Sequence, residues 1–124
     1  MTFWKRQSIT VYERGTIVLI NFNPQKKADE VGKIRPAIII SDTMLNDVLD
    51  LVSVVAMTTN LIDDAQPLRI RIPSRDSLKS DSDAMIEQLR CVSKVRIGEC
   101  IGRLSDEEMQ KVEYGIQVML GLSH

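Results

Sequence analysis

Apolar residues in this chain gather in short β-branched runs, each stopped by Gly, Pro, Asn or Asp, and only one later stretch carries a helical period. Runs of that length read as strands, and a series of them followed by one helix restricts the fold to a mainly β class. Thr16-Ile17-Val18-Leu19-Ile20-Asn21-Phe22, between Gly15 and Asn23-Pro24, is predicted as a buried strand. Residues 36–41 and 51–57 follow as the second and third strands, with a short helical turn over 42–50. Leu68-Arg69-Ile70-Arg71-Ile72 alternates strictly, which puts Leu68, Ile70 and Ile72 inward and both arginines on the other face. Residues 84–89 and 99–104 complete the strand set. The turn signals between the runs predict a small, strongly curved barrel or folded sheet.

The helix announces itself locally. Ser105 is an N-cap and Glu108, three residues on, completes a capping box, while Asp106 and Glu107 suit the positive end of the helix dipole. Met109, Val112, Ile116, Met119 and Leu120 mark one apolar face, and Gly121 is a natural stop. The helix is expected over 105–120, packed on the sheet.

Length and composition bound the rest. A chain of 124 residues that is 44% hydrophobic is expected to form one domain spanning 1–124. No run approaches the roughly 18 apolar residues of a membrane span. The start, Met1-Thr2-Phe3-Trp4-Lys5-Arg6, lacks the apolar core of a secretion signal, so the expected location is cytoplasmic. Cys91 and Cys100 are then expected as reduced thiols, and no metal constellation is visible. No Gly-rich phosphate cradle, GxSxG elbow or HExxH motif is present, and a lone His124 excludes two-histidine RNA cleavage.

Net charge is −1, but residues 1–36 hold seven Lys/Arg against three acids, whereas the remainder holds nine against fourteen. That asymmetry permits a local basic groove for phosphates. Within it, Asp29-Glu30-Val31-Gly32-Lys33-Ile34-Arg35-Pro36 leads a polar loop into a buried strand. Pro36 stiffens the backbone and biases Arg35 toward extended geometry, so the guanidinium is presented from a firm base. A planar cation held this way suits a phosphate or carboxylate, although pairing with Glu30 or Asp29 is an equally local reading. Thr58-Thr59-Asn60 directly follows the third strand. A threonine hydroxyl there can donate to a phosphoryl oxygen or merely shape a turn. Glu87 or Glu30 is the candidate proton acceptor.

In order and spacing, these segments resemble the MazF/PemK family of toxin endoribonucleases from about residue 13 to 122. The landmarks are Arg14-Gly15-Thr16-Ile17-Val18, Asn21-Phe22-Asn23-Pro24, Gly32-Lys33-Ile34-Arg35-Pro36-Ala37-Ile38-Ile39-Ile40-Ser41, Met57-Thr58-Thr59, Glu87-Gln88-Leu89-Arg90 and Ile101-Gly102-Arg103-Leu104-Ser105. The resemblance implies an SH3-like barrel with a C-terminal helix, a homodimer, a cognate antitoxin, and metal-independent cleavage of single-stranded RNA without a cofactor. It puts Arg35 and Thr58 at the catalytic positions, with Glu87 as the accompanying carboxylate. Glu30, Lys33, Ser41 and Thr59 are implied as RNA contacts, together with Arg69, Arg71 and Gln88 on the later strands.

Departures from the family pattern also matter. Glu87 stands where an aspartate is usual, Met85 where PemK-like members carry arginine, and Asp29 where some carry histidine, so an acid–base scheme built on the last two cannot operate. The alternatives are a CcdB-like gyrase poison on the same fold, or a catalytically inert interaction relative. Against the first, no aromatic residue follows Tyr114.

Overall fold

In the computed structural model, residues 11–22 and 34–122 are described, and these carry six strands and two helices. The strands are β1 (Thr16–Asn21), β2 (Ile34–Ile39), β3 (Leu51–Thr58), β4 (Arg69–Ile72), β5 (Ser82–Ser93) and β6 (Ile97–Arg103). Helix α1 (Thr43–Val48) joins β2 to β3, a 3-10 turn (Lys94–Arg96) joins β5 to β6, and helix α2 (Asp106–Met119) ends the described chain. All pairings are antiparallel, in the order β4-β5-β3-β2-β1-β6. The expected curved sheet with a C-terminal helix is therefore what the chain forms.

Alternation along the central strands feeds two separate cores, because side chains at successive positions leave opposite faces. Ile17, Ile38, Val55, Met57, Ile70, Ile72 and Ile86 pack with Met109 and Val112 of α2. Val18, Ile20, Ala37, Ile39, Val52 and Val54 point the other way and meet Val92 and Ile97. A single sheet serves both because β5 bends. Val55 faces Leu89 and Met57 faces Ala84, so four residues of β5 stand opposite Ala56 alone. This bulge divides β5 into an arm that pairs with both β4 and β3 and an arm, residues 89–93, that pairs with β3 alone. The Ser77 amide donates to the Ile101 carbonyl at 3.1 Å, tying the segment after β4 to β6 at the far edge of the sheet.

Helix α2 begins as its sequence predicts. Ser105 accepts from the Glu108 amide, and Glu108 Oε1 accepts from the Ser105 amide at 2.9 Å. At the other end, Gly121 adopts φ +75°, and the amides of Gly121 and Leu122 donate to the carbonyls of Val118 and Gln117. This double bond pattern closes the helix and needs a residue tolerant of the left-handed region. Two expected core positions are corrected. Leu120 is 54% exposed because it lies past the last helical residue, and Leu68 is 41% exposed because β4 starts only at Arg69. Gly115 fills the space on the buried face instead, letting the helix approach Pro67 and Ile86. β5 also runs to Ser93, beyond the expected end at residue 89. Among the described residues, no helix is long and apolar enough to cross a membrane.

Candidate active site

Arg35 and Thr58 come together through strand register. Ala37, Ile38 and Ile39 of β2 face Ala56, Val55 and Val54 of β3, and the same register continued by two residues sets Arg35 opposite Thr58. Both stand on the face shared by Ala37 and Val54, at the end of the strands where burial gives way to solvent. Arg35 is exposed, and among the described residues nothing pairs with its guanidinium. The Thr58 hydroxyl accepts from the Asn60 amide at 3.1 Å. That contact uses an oxygen lone pair and leaves the hydroxyl hydrogen free to donate. The site thus offers a cation on a stiff strand end and a hydroxyl donor on the facing strand, a pair suited to charge developing on a phosphoryl oxygen.

On the other side of β3, Thr58 pairs with Asp83 of β5. Asp83 is buried, yet its carboxylate is fully employed. Oδ1 accepts from Arg71 Nε at 2.6 Å, and Oδ2 accepts from the Ile62 amide at 2.8 Å. Burial alone would raise its pKa, but these bonds and the charges of Arg71 and Arg69 prevail and hold it below the ordinary carboxylate value. Arg71 also reaches Asp63 at 2.8 Å, and the two acids strengthen its hold on its proton. Beside this cluster opens a cavity of about 650 Å3, lined by residues 62–66 with Arg69, Arg71 and Asp83.

The other expected site residues are dispersed. Glu87 lies on the β5 bulge, two strands from Arg35, with Oε2 at 3.5 Å from Arg69 Nη2. Gln88 is its exposed neighbour, and Thr59 is exposed just past β3. Arg69 and Arg71 share a face as expected; Arg71 is held by Asp63 and Asp83, and Arg69 makes only a 3.5 Å contact with Glu87. Ser41 sits beyond the opposite end of β2 from Arg35. Its hydroxyl donates to Asn46 Oδ1 at 2.6 Å and accepts from the Ser53 amide at 3.0 Å, which makes it a brace for α1. Glu30, Lys33 and Asp29 lie outside the described residues, as do residues 1–10 and His124.

Sequence reading missed Asp83, which it left at the end of a polar loop, and the pair Phe22 and Arg90. Arg90 Cζ stands 4.9 Å from the Phe22 ring centroid. Phe22 directly follows Asn21, the partner of Ile34, and so flanks the Arg35 end of β2. Neither feature has a local signal, since both depend on which strands meet.

Comparison with known proteins agrees with this architecture. The family model of PemK-like, MazF-like toxins of type II toxin–antitoxin systems matches residues 13–120. The endoribonuclease MazF of Staphylococcus saprophyticus is 33% identical over 110 residues, covering 88% of this chain and 91% of that protein. A MazE–MazF crystal structure from Deinococcus radiodurans gives a TM-score of 0.72 at 20% identity, over 93% of this chain and 100% of its own. An endoribonuclease in complex with its cognate antitoxin, from a mycobacterial species, gives 0.70 at 19% identity, over 90% and 97%. The two structures share the fold, and the family match with the sequence relative goes further: this chain belongs to the PemK-like, MazF-like toxins of type II toxin–antitoxin systems.

Proposed function

We propose that this toxin is an endoribonuclease that cuts single-stranded RNA at the Arg35–Thr58 end of the sheet, without a metal ion, and at particular short sequences. The observation that carries the reading is the β2–β3 register, which, continued by two residues, sets Arg35, unpaired among the described residues, opposite a hydroxyl with a hydrogen to donate. The ribose 2′-OH attacks the adjacent phosphorus, the P–O5′ bond breaks, and the products are a 2′,3′-cyclic phosphate and a 5′-OH. Arg35 stabilises the extra charge on the phosphorane and directs a proton to the departing O5′. A guanidinium stays protonated and is a poor base, so the 2′-OH proton goes elsewhere. Asp83 is buried and held by Arg71, so the carboxylate proposed to take that proton is Glu87, which is exposed although two strands from Arg35 and 3.5 Å from Arg69.

As a member of its family, the toxin acts as a homodimer and is held inactive by a cognate antitoxin. The endoribonuclease reading is supported by the name of the Staphylococcus saprophyticus relative, and the antitoxin by the partners of the Deinococcus and mycobacterial structures. The test is incubation of a long single-stranded RNA in EDTA with the protein and with Arg35→Ala, mapping both ends of each fragment. Discrete cuts bearing 5′-OH ends, absent from a folded Arg35→Ala protein, support the reading. RNA left intact by the folded parent protein overturns it.

A further inference from the structure

The cavity beside Thr58 is not used by the cleavage chemistry, and its lining suits something other than phosphate. Asp63, Asp64 and Asp83 face only two guanidiniums, so its balance is acidic. Arg71 is already spent on Asp63 and Asp83. Arg69 is not. Its Nη2 makes a long 3.5 Å contact with Glu87, and its Nη1 is buried without any hydrogen-bond partner. A buried donor left in that state is destabilising, and an acceptor on a bound group would satisfy it. The Glu87 contact lies at the limit of a hydrogen bond, so it yields easily to a better acceptor. Asp63 binds Arg71 through Oδ1 alone, and Asp64 makes no ion pair among the described residues. Nη1 is closed to solvent as it stands, so an acceptor reaches it once Arg69 swings off Glu87; that donor and two acceptors with capacity to spare then line a space within the size range of small-ligand sites.

We propose that this cavity reads a guanine base of the RNA, next to the phosphate held at Arg35 and Thr58; the inference rests on the RNA-cleavage reading above. Guanine presents O6 and N7 acceptors to an arginine. Its N1–H and exocyclic N2 amino group together donate to a carboxylate. Uracil offers a single ring N–H between two carbonyl oxygens, which a carboxylate repels, and adenine has no O6 for Arg69. An acidic pocket that also holds an arginine without a full set of partners thus selects guanine over adenine and uracil.

The experiment titrates the full chain with the 3′-monophosphates of guanosine, inosine, adenosine and uridine by calorimetry, and repeats this with Arg69→Gln, Asp64→Asn and Arg35→Ala. Guanosine monophosphate should bind at least about tenfold tighter than adenosine or uridine monophosphate, a difference of ~1.4 kcal/mol. Inosine monophosphate, lacking the N2 amino group, should lose part of that advantage. Arg69→Gln and Asp64→Asn should abolish the preference, and Arg35→Ala should keep it. Equal affinity for all four nucleotides, or a preference indifferent to Arg69→Gln and Asp64→Asn, overturns the pocket. Cleavage mapping separates the two readings. Arg35-dependent cuts with no shared guanine sink the pocket and spare the nuclease, whereas selective guanosine monophosphate binding with uncut RNA does the reverse.

Discussion

Arg75 and Glu108 form a two-pronged ion pair, Nη1 to Oε1 and Nη2 to Oε2, each at 2.6 Å. Glu108 is also the residue that closes the capping box of α2, so one carboxylate fastens the helix start to the segment after β4. Burial alone would raise the Glu108 pKa, but the Arg75 hydrogen bonds, those from Ser105 and the Arg75 charge hold it below the ordinary value. A folded-state pKa below the unfolded one means the stabilisation is complete above about pH 4.3 and disappears as pH falls through the lower folded value. Glu108→Gln should cost about 2 kcal/mol at neutral pH in urea unfolding. Its melting temperature should also fall less between pH 5 and 3 than that of the parent, and parallel acid limbs would refute the assignment.

Gly115 faces inward on α2 at a place where a Cβ would collide with the Pro67 carbonyl oxygen and stand 3.0 Å from Ile86 Cγ1. Alanine normally gains about 1 kcal/mol over glycine within a helix. Here the overpacking, about 1–3 kcal/mol, should win, leaving Gly115→Ala less stable by about 1 kcal/mol in chemical denaturation. A stabilised variant would mean that the helix can slide away from Pro67.

Asn46 is 1% exposed, and its amide serves three partners. It donates to the carbonyls of Tyr12 and Ser41 at 2.7 and 3.1 Å and accepts from Ser41 Oγ. Asn46→Leu removes all three and strands buried polar groups, so stability should drop by about 2–4 kcal/mol, measured by thermal unfolding. Ser41→Ala should cost less, and its RNA cleavage rate should match that of the parent if the residue is only a brace.

Thr58→Val keeps the β-branched shape but removes the hydroxyl donor. If Thr58 holds a phosphoryl oxygen during displacement, single-turnover cleavage should slow about 100-fold while RNA affinity changes little. Affinity of the parent protein should fall steeply with added salt, since phosphate contacts release counterions. A Thr58→Val protein with weaker binding and an unchanged rate would move the residue out of the chemistry.

How much of this was legible beforehand depends on range. The capping box at Ser105 and Glu108 and the stop at Gly121 are written within a few consecutive residues, and the structure keeps both. Alternation over residues 69–72 likewise marks Ile70 and Ile72 as the inner face without any partner. Register is another matter. The four residues of β5 opposite Ala56 follow no local pattern, so the length of that strand and the burial of Asp83 were hidden. Arg35 was visible as a stiff junction, but its facing Thr58 follows only from how β2 lies on β3. Arg69 and Arg71 looked like a cationic face because sequence lists their charges and not the acids that meet them.

The pairing of β1 with β6 joins residues 16–20 to residues 97–103, almost the full described length apart. Contacts so distant are made late, because the intervening loop must be ordered before they repay its entropy. On the ribosome, β1 keeps an open edge until residue 103 has been synthesised, and the second core lacks Ile97 until then. A nascent toxin is thus an unfinished sheet through most of its own translation, and the Arg35–Thr58 site acquires its rigid support only when that last strand arrives.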